Sequence, residues 1–323
     1  MLMQPMLMRL KQHYPDCIID VLAPSWTEGL LRALPEVHHI IVNPFPHGAL
    51  QFKARYQLGV QLRAGQYDQA IVLPNSLKSA LVPFFANIPL RTGFIGELRY
   101  GLLNDARKLD KTVLPLMVER FSQLAEVPQG NIPRPLAIPQ LNVSVGQRDA
   151  TLNKLALTLD QPVVIFCPGA EYGPAKRWPV SYFADTALRL QVRGYAVWLI
   201  GSGKDREVAD NIVTHSHPDI VNLCGRTDLT DALALLSCAD LVISNDSGLM
   251  HLAAALDRPL LAVFGSSSPQ FTPPLSKLAQ VVKIDIACSP CFKRECPLGH
   301  FNCMNQLTPD LMWRKILSVI ESQ

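Results

Sequence analysis

Apolar residues recur at helical spacing at Met3, Met6, Leu7, Leu10 and Tyr14, so the chain is expected to open on a helix, with Pro5 accepted in its first turn. Short apolar runs at 18–22, 40–42, 70–73 and 91–94 read as strands, with helical patterns between several of them. Strands alternating with helices imply a parallel, doubly wound α/β sheet. A wound half normally begins with its central strand, whose turn into the first helix carries the ligand loop. This one begins on the helix. The first domain is therefore expected to be incomplete at its N-terminus, by truncation ahead of Met1, leaving the face of Met3, Met6, Leu7 and Leu10 uncovered.

A helical pattern over 114–127 gives way to Pro128, Pro133, Pro135 and Pro139, and this punctuated stretch is the expected linker, dividing a domain at 1–145 from one at 146–323. Beyond it the winding resumes. Strands are expected at 163–166, 196–200, 221–223, 241–244, 260–264 and 281–286, with helices at 180–191, 204–213 and 229–237 between them. That makes a second, complete Rossmann-like domain, closed by an amphipathic helix at 309–321 that is free to pack back on the first.

Composition narrows the function. Hydrophobic residues at 48% and charged residues at 18% describe a soluble globular protein. No apolar run approaches the length of a membrane span, and a net charge of +3 gives no footprint for nucleic acid. The apolar start lacks the basic beginning and small-residue cleavage site of a secretory signal. The expected compartment is the cytoplasm, and the expected state of the eight cysteines is the thiol.

The most informative stretch is 241–256, an apolar run, the polar cluster Ser244 to Gly248, and a run of helix formers. In such a strand–turn–helix the first helical N–H groups lack internal partners and the dipole adds positive charge, which suits a phosphate. Gly248 admits an anion close to the backbone, and His251 follows on the same face. The structural alternative is that Asp246 or Ser247 simply caps the helix. Two more loops leave the carboxyl ends of strands, where open α/β sheets bind ligands: 167–179, Gly/Pro-rich and ending in Lys176-Arg177-Trp178-Pro179, and 201–205, ending in Asp205. Lys176 suits a diphosphate, against the ordinary reading of a solvated lysine. Asp205 suits ribose hydroxyls, against the ordinary reading of an N-cap. Gly201-Ser-Gly203 is only a fragment of a dinucleotide fingerprint, which argues against a nicotinamide oxidoreductase.

Three motifs in the second half, 168–179, Asn245-Asp-Ser-Gly-Leu-Met-His251 and Phe264-Gly-Ser-Ser-Ser-Pro269, together with 73–85, 91–94 and 99–104 in the first, carry a resemblance. The chain resembles the ADP-heptose:lipopolysaccharide heptosyltransferases of the GT-B class, over nearly its whole length. The resemblance implies two Rossmann-like domains facing a central cleft, and transfer of heptose from ADP-heptose to a heptose of the lipopolysaccharide inner core. It implies an inverting reaction without a metal ion, and no Asp-x-Asp triplet for a metal-clamped diphosphate occurs in the sequence. By the same resemblance Lys176 meets the donor phosphates, and Asp246, Ser247, Gly248 and His251 form the diphosphate turn. Gly169, Glu171 and Tyr172 border the nucleotide, Asp205 lies near the nucleoside, and Thr227 joins the substrate-binding set. The family's general base is an Asp after the first strand, a position expected to be absent from this chain; the alternative function is therefore a non-catalytic nucleotide-sugar binder. No cofactor is implied beyond the donor substrate.

The acceptor would lie at the inner membrane, with the enzyme peripheral to its cytoplasmic face. Lys78, Arg91, Arg99, Arg107, Lys108 and Lys111, against Glu97, Asp105 and Asp110, suggest either a basic face for an anionic glycolipid or an ordinary solvated surface. Cys288, Cys291, Cys296 and Cys303 are read as reduced loop thiols, with structural zinc as the alternative because the first pair has zinc-knuckle spacing.

Overall fold

A computed structural model describes residues 1–128, 130–216 and 219–321. They form two compact units, one from 2–25 with 36–137 and one from 26–35 with 138 onward.

The first unit opens on the expected helix, Gln4–His13. Its parallel strands fall into two separate sheets, Asp20–Ala23 with His39–Val42, and Gln69–Ile71, Leu90–Phe94 and Asp105–Arg107. The helix face is not uncovered, because Met6 and Leu7 are only 4% and 2% exposed. The helix packs on Met117–Gln123, and Glu126 beyond that helix binds Arg9 at 2.8 Å and His13 at 3.0 Å. The anticipated basic face is also corrected at three of its six positions. Arg99 is buried and donates to the carbonyls of Phe94 and Pro74 and to Asn75 Oδ1. Arg107 pairs with Asp105 at 2.7 Å, and Arg91 donates to the carbonyls of Leu102 and Ile88. Guanidinium groups with several donors are here consumed in tying loops together.

The second unit is built on a six-stranded sheet, parallel throughout, in the order Ala279–Lys283, Leu260–Phe264, Leu241–Asn245, Val163–Cys167, Ala196–Leu199, Val221–Asn222. Three of its four interior strands, Val163–Cys167, Leu241–Asn245 and Leu260–Phe264, are buried at every position, as a sheet covered on both faces requires. The chain winds outward in one direction from Val163–Cys167 and in the other from Leu241–Asn245. These two neighbours, in register through Phe166 and Ile243, therefore flank the topological switch point. Trp178, Phe183 and Phe166 stack edge-on or tilted in the core beneath.

One segment departs from the expected division, and the last helix stays within it. The stretch 26–35, which the linker placement assigns to the first domain, clusters here, and Gly29 lies so close to Thr230 that a Cβ would collide with its hydroxyl. The last helix, Pro309–Ile320, buries Met312, Ile316 and Val319 in this unit's own core, against the helix Val180–Val192. Its apolar stripe is thus satisfied within the second unit.

Candidate active site

The strands Val163–Cys167 and Leu241–Asn245 end side by side, and each hands the chain to a loop that carries site residues. After Leu241–Asn245 comes Asp246, then Ser247 as N-cap of the helix Gly248–Ala255. Neither residue caps. Ser247 makes no side-chain cap bond; its hydroxyl lies 3.3 Å from that of Ser244. Asp246 instead turns its carboxylate to Lys176, with Nζ to Oδ2 at 2.5 Å and both side chains largely buried. The first turn of this helix therefore keeps its N–H groups for something else. A Cβ added at Gly248 would meet nothing within 4 Å, so open space lies in front of it.

Lys176 ends a single turn, Pro174–Lys176, that follows Gly173. Gly173 has φ +154°, and a Cβ there would lie 2.5 Å from the Arg294 carbonyl oxygen. That carbonyl also accepts the Ala175 N–H at 3.1 Å. The ammonium lies 5.3 Å from the Tyr172 ring, whose other neighbour is the Arg294 guanidinium at 5.6 Å. Tyr172 donates its hydroxyl to the Phe292 carbonyl at 2.9 Å. Glu171, exposed, pairs with Lys204 at 2.5 Å, a contact of small energetic weight at the surface.

Asp205 is held beneath this loop. Its Oδ2 accepts from the Ser202 N–H at 2.9 Å and hydroxyl at 2.7 Å, a capping box, and a Cβ at Gly169 would collide with its carboxyl. The structural reading of Asp205 is therefore realised whatever else it binds. Thr227 sits half-buried in the loop after the edge strand Val221–Asn222, one residue before the Asp228 N-cap. Gly169, Lys176, Asp246, Ser247 and Gly248 gather at the switch point; Thr227 follows the strand at the sheet's edge.

His251 is half-buried on the same helix. Burial draws its imidazole down to about 4; Asp246 opposes this, while the amino group of Met1 and Lys176 add to it. The ring is neutral at ordinary pH and offers one donor and one acceptor. Because the folded value lies below the ordinary 6.5, the unfolded chain binds the extra proton first. Stability is therefore expected to fall as pH drops from about 6.5 toward about 4, and His251→Gln should flatten that part of the slope. Urea midpoints of both proteins across this range check it; equal slopes would show that His251 is not the source.

Five residues had no role assigned from the sequence, although Asn245, Ser266 and Ser267 stand within its quoted motifs. Asn245, fully buried, donates from Nδ2 to the Pro168 carbonyl at 2.8 Å and accepts the Trp178 N–H at Oδ1 at 3.0 Å, so it clasps both ends of the Lys176 loop. Ser266 and Ser267, after the adjacent strand Leu260–Phe264, have buried hydroxyls without a partner. Such orphaned hydroxyls call for an acceptor or donor from outside the chain. The main chain of Phe292 and Arg294 completes the set, and nothing in their residue types signals it.

The arrangement joins a buried cation, an uncapped helix N-terminus, free hydroxyls and clear space, which is what a diphosphate needs. Known proteins agree. The description glycosyltransferase family 9 (heptosyltransferase) matches residues 55–302. Lipopolysaccharide heptosyltransferase 2 of Salmonella typhimurium is 45% identical, over 100% of this chain and 95% of that protein. Its namesake from Escherichia coli K12 is 46% identical, over 99% and 94%. The solved structure of E. coli ADP-heptose lps heptosyltransferase II superposes with a TM-score of 0.90 at 42% identity, covering 99% of this chain and 95% of that one. These likenesses run along the whole chain and lend nothing to a non-catalytic binder. With the fold, the phosphate turn and these relatives in accord, the chain belongs to glycosyltransferase family 9, the heptosyltransferases.

Proposed function

We propose that this enzyme of lipopolysaccharide core assembly takes heptose from ADP-heptose and joins it to a heptose of the inner core, by one displacement that inverts the reacting carbon and without a metal on the diphosphate. The observation that carries the reading is the Lys176–Asp246 pair at the uncapped N-terminus of Gly248–Ala255. As the sugar–phosphate bond breaks, negative charge builds on the departing ADP. Lys176 and the helix N–H groups stand ready to stabilise it in a largely dry site. Ser266 and Ser267 offer hydroxyls to phosphate oxygens or to the sugar. Gly169 and Tyr172 border the nucleotide, and Asp205 keeps its loop in place for the nucleoside. These fixed charges occupy the role a divalent ion would have, so added magnesium or manganese is expected to leave turnover unchanged.

No described helix is long and apolar enough to cross a membrane. The acceptor's lipid is proposed to be met peripherally at the cytoplasmic face. The first unit supports this with Leu98 and Tyr100, 82% and 64% exposed, and with exposed Lys108 and Lys111 on the segment that pairs with Ile95.

ADP is expected to raise the melting temperature of the second unit, since binding only the folded form stabilises it by about 2.7 kcal/mol at about 100 times Kd. Calorimetry with millimolar ADP tests the site; an unchanged transition overturns it. The anomeric configuration of the product, read by NMR, tests the inversion.

A further inference from the structure

The charge of this chain is unevenly placed. Between Glu36 and Glu97 it carries five Lys and Arg and a single acidic residue, Asp68, a surplus larger than the net +3 of the whole protein. The two helices of this stretch, Phe52–Leu62 and Leu77–Phe85, both belong to the first unit. They pack tightly, for a Cβ at Gly59 would lie 2.5 Å from the Phe85 Cβ and 2.9 Å from the Val82 carbonyl oxygen. The inner side of the first helix is taken up by Gly59 and by Arg55, which donates to the carbonyls of Leu50, Ala49 and Lys78.

The outer side faces solvent. Phe52, Tyr56 and Val60 recur every four residues along it and are 55%, 47% and 37% exposed. The rings of Phe52 and Tyr56 each meet that of Phe85 edge-on with centroids 5.2 Å apart, and Phe84, itself exposed, meets Phe85 at 5.5 Å. Four rings therefore form one continuous apolar patch, not a row of separate platforms on which nucleic-acid bases would stack. Beside it stand Lys53 and Arg63, both exposed, and Arg91, whose guanidinium carbon lies 5.7 Å from the Phe84 ring centroid. Arg63 donates to the Phe85 carbonyl, and Arg91 to those of Leu102 and Ile88. Carbonyls fix these guanidinium groups without cancelling their charge. The bond to Leu102 also ties the patch to the segment of Leu98 and Tyr100.

We propose that the outer face of Phe52–Leu62, with Phe84 and Phe85, docks on the surface of an anionic phospholipid bilayer. Its rings lie at the level of the headgroups, with Lys53, Arg63 and Arg91 against the phosphates. The proposal rests on the reading that the acceptor's lipid is met peripherally, and it names the part of the chain that meets the bilayer. Aromatic side chains settle at the membrane–water interface, and each Lys or Arg close to an anionic surface adds to the attraction. Patch and cations together thus match both layers of such a surface. A second copy of the chain is a poorer occupant, because two-fold pairing sets the same positive charges against one another.

Sedimentation of the whole chain with phospholipid vesicles tests this. Vesicles of phosphatidylethanolamine and phosphatidylglycerol are expected to carry the protein down, vesicles of phosphatidylcholine alone to leave it in solution, and high salt to weaken the binding. Lys53→Glu is expected to lower the partition constant about fivefold or more. Phe52→Ser combined with Tyr56→Ser is expected to lower it about tenfold or more. Both variants should keep transfer to a lipid-free acceptor, which separates loss of docking from loss of catalysis. No sedimentation, equal sedimentation with phosphatidylcholine, or binding unchanged in both variants would overturn the proposal. So would a dimer that the serine variant dissolves, or an equal loss of transfer to the lipid-free acceptor. Lys53 is exposed, so Lys53→Glu decides the matter should the serine variant fail to fold. Vesicle binding is read without donor or acceptor, so it can fail while the transfer reading stands, and the reverse.

Discussion

Lys176→Ala is expected to lower kcat by about 10²–10³-fold, the size seen when one group that stabilises transition-state charge is removed. The residue is firmly positioned. Its turn starts at Gly173, where a Cβ would strike the Arg294 carbonyl, and its ammonium rests at 2.5 Å from Asp246. Alanine also leaves the Asp246 carboxylate, 7% exposed, without its partner, so some stability is lost as well. Lys176→Arg separates the two effects. It restores a cation for Asp246 but carries its charge on a longer, planar group, so stability should return while turnover recovers only in part. Steady-state kinetics with ADP-heptose and a core acceptor, beside melting curves, reads both. Near-normal kcat in a folded Lys176→Ala would remove the lysine from the mechanism.

Asn245→Leu is expected to damage the second unit most among single changes near the site. Leucine of similar size leaves the Pro168 carbonyl and the Trp178 N–H buried and unpaired. Each such orphan costs about 1–3 kcal/mol, so a loss of several kcal/mol follows. The tryptophans Trp26, Trp178, Trp198 and Trp313 all fall within the second unit, so the urea midpoint followed by their fluorescence reports on that unit alone. Transfer should fall too, because the Lys176 loop is clasped at Pro168 and Trp178. An unshifted midpoint would mean that the loop finds other partners for both groups.

Most of the second unit could be read from its residues because parallel central strands, buried on both faces, appear as unbroken apolar runs: Val163–Cys167, Leu241–Asn245 and Leu260–Phe264 all lie where such runs predict them. The strand Asp105–Arg107 was invisible, since its polar ends are satisfied by each other. So was the helix Val145–Leu155, which is weakly amphipathic and announced mainly by its Ser144 cap. The choice between a basic face and an ordinary surface stayed open in the sequence for a related reason: one-letter charge does not say whether a guanidinium meets solvent or, like that of Arg99, a set of carbonyls. Of the candidate site residues, Asp246 and Gly248 could be placed because they follow a strand end directly, and Lys176 because its loop leaves the neighbouring strand. Asn245 stood in the quoted turn motif, but residue type does not reveal its clasp on Pro168 and Trp178, and Phe292 and Arg294, whose carbonyl and guanidinium bind the Tyr172 hydroxyl and carbonyl, lie more than a hundred residues from that tyrosine.

The Lys176–Asp246 pair has a further bearing on the reaction cycle. A diphosphate bound as proposed would find the lysine already engaged by an internal anion and would have to draw it away, so part of the attraction would be cancelled before binding begins. When the spent nucleotide leaves, the carboxylate takes the ammonium back, and the vacated pocket returns to neutrality without waiting for counterions. Such a built-in competitor weakens the hold on ADP and on the intact donor alike, while leaving the lysine at hand for the extra charge of bond breaking. On the proposed reading, the carboxylate that keeps this cation in place would also quicken release of the charged product.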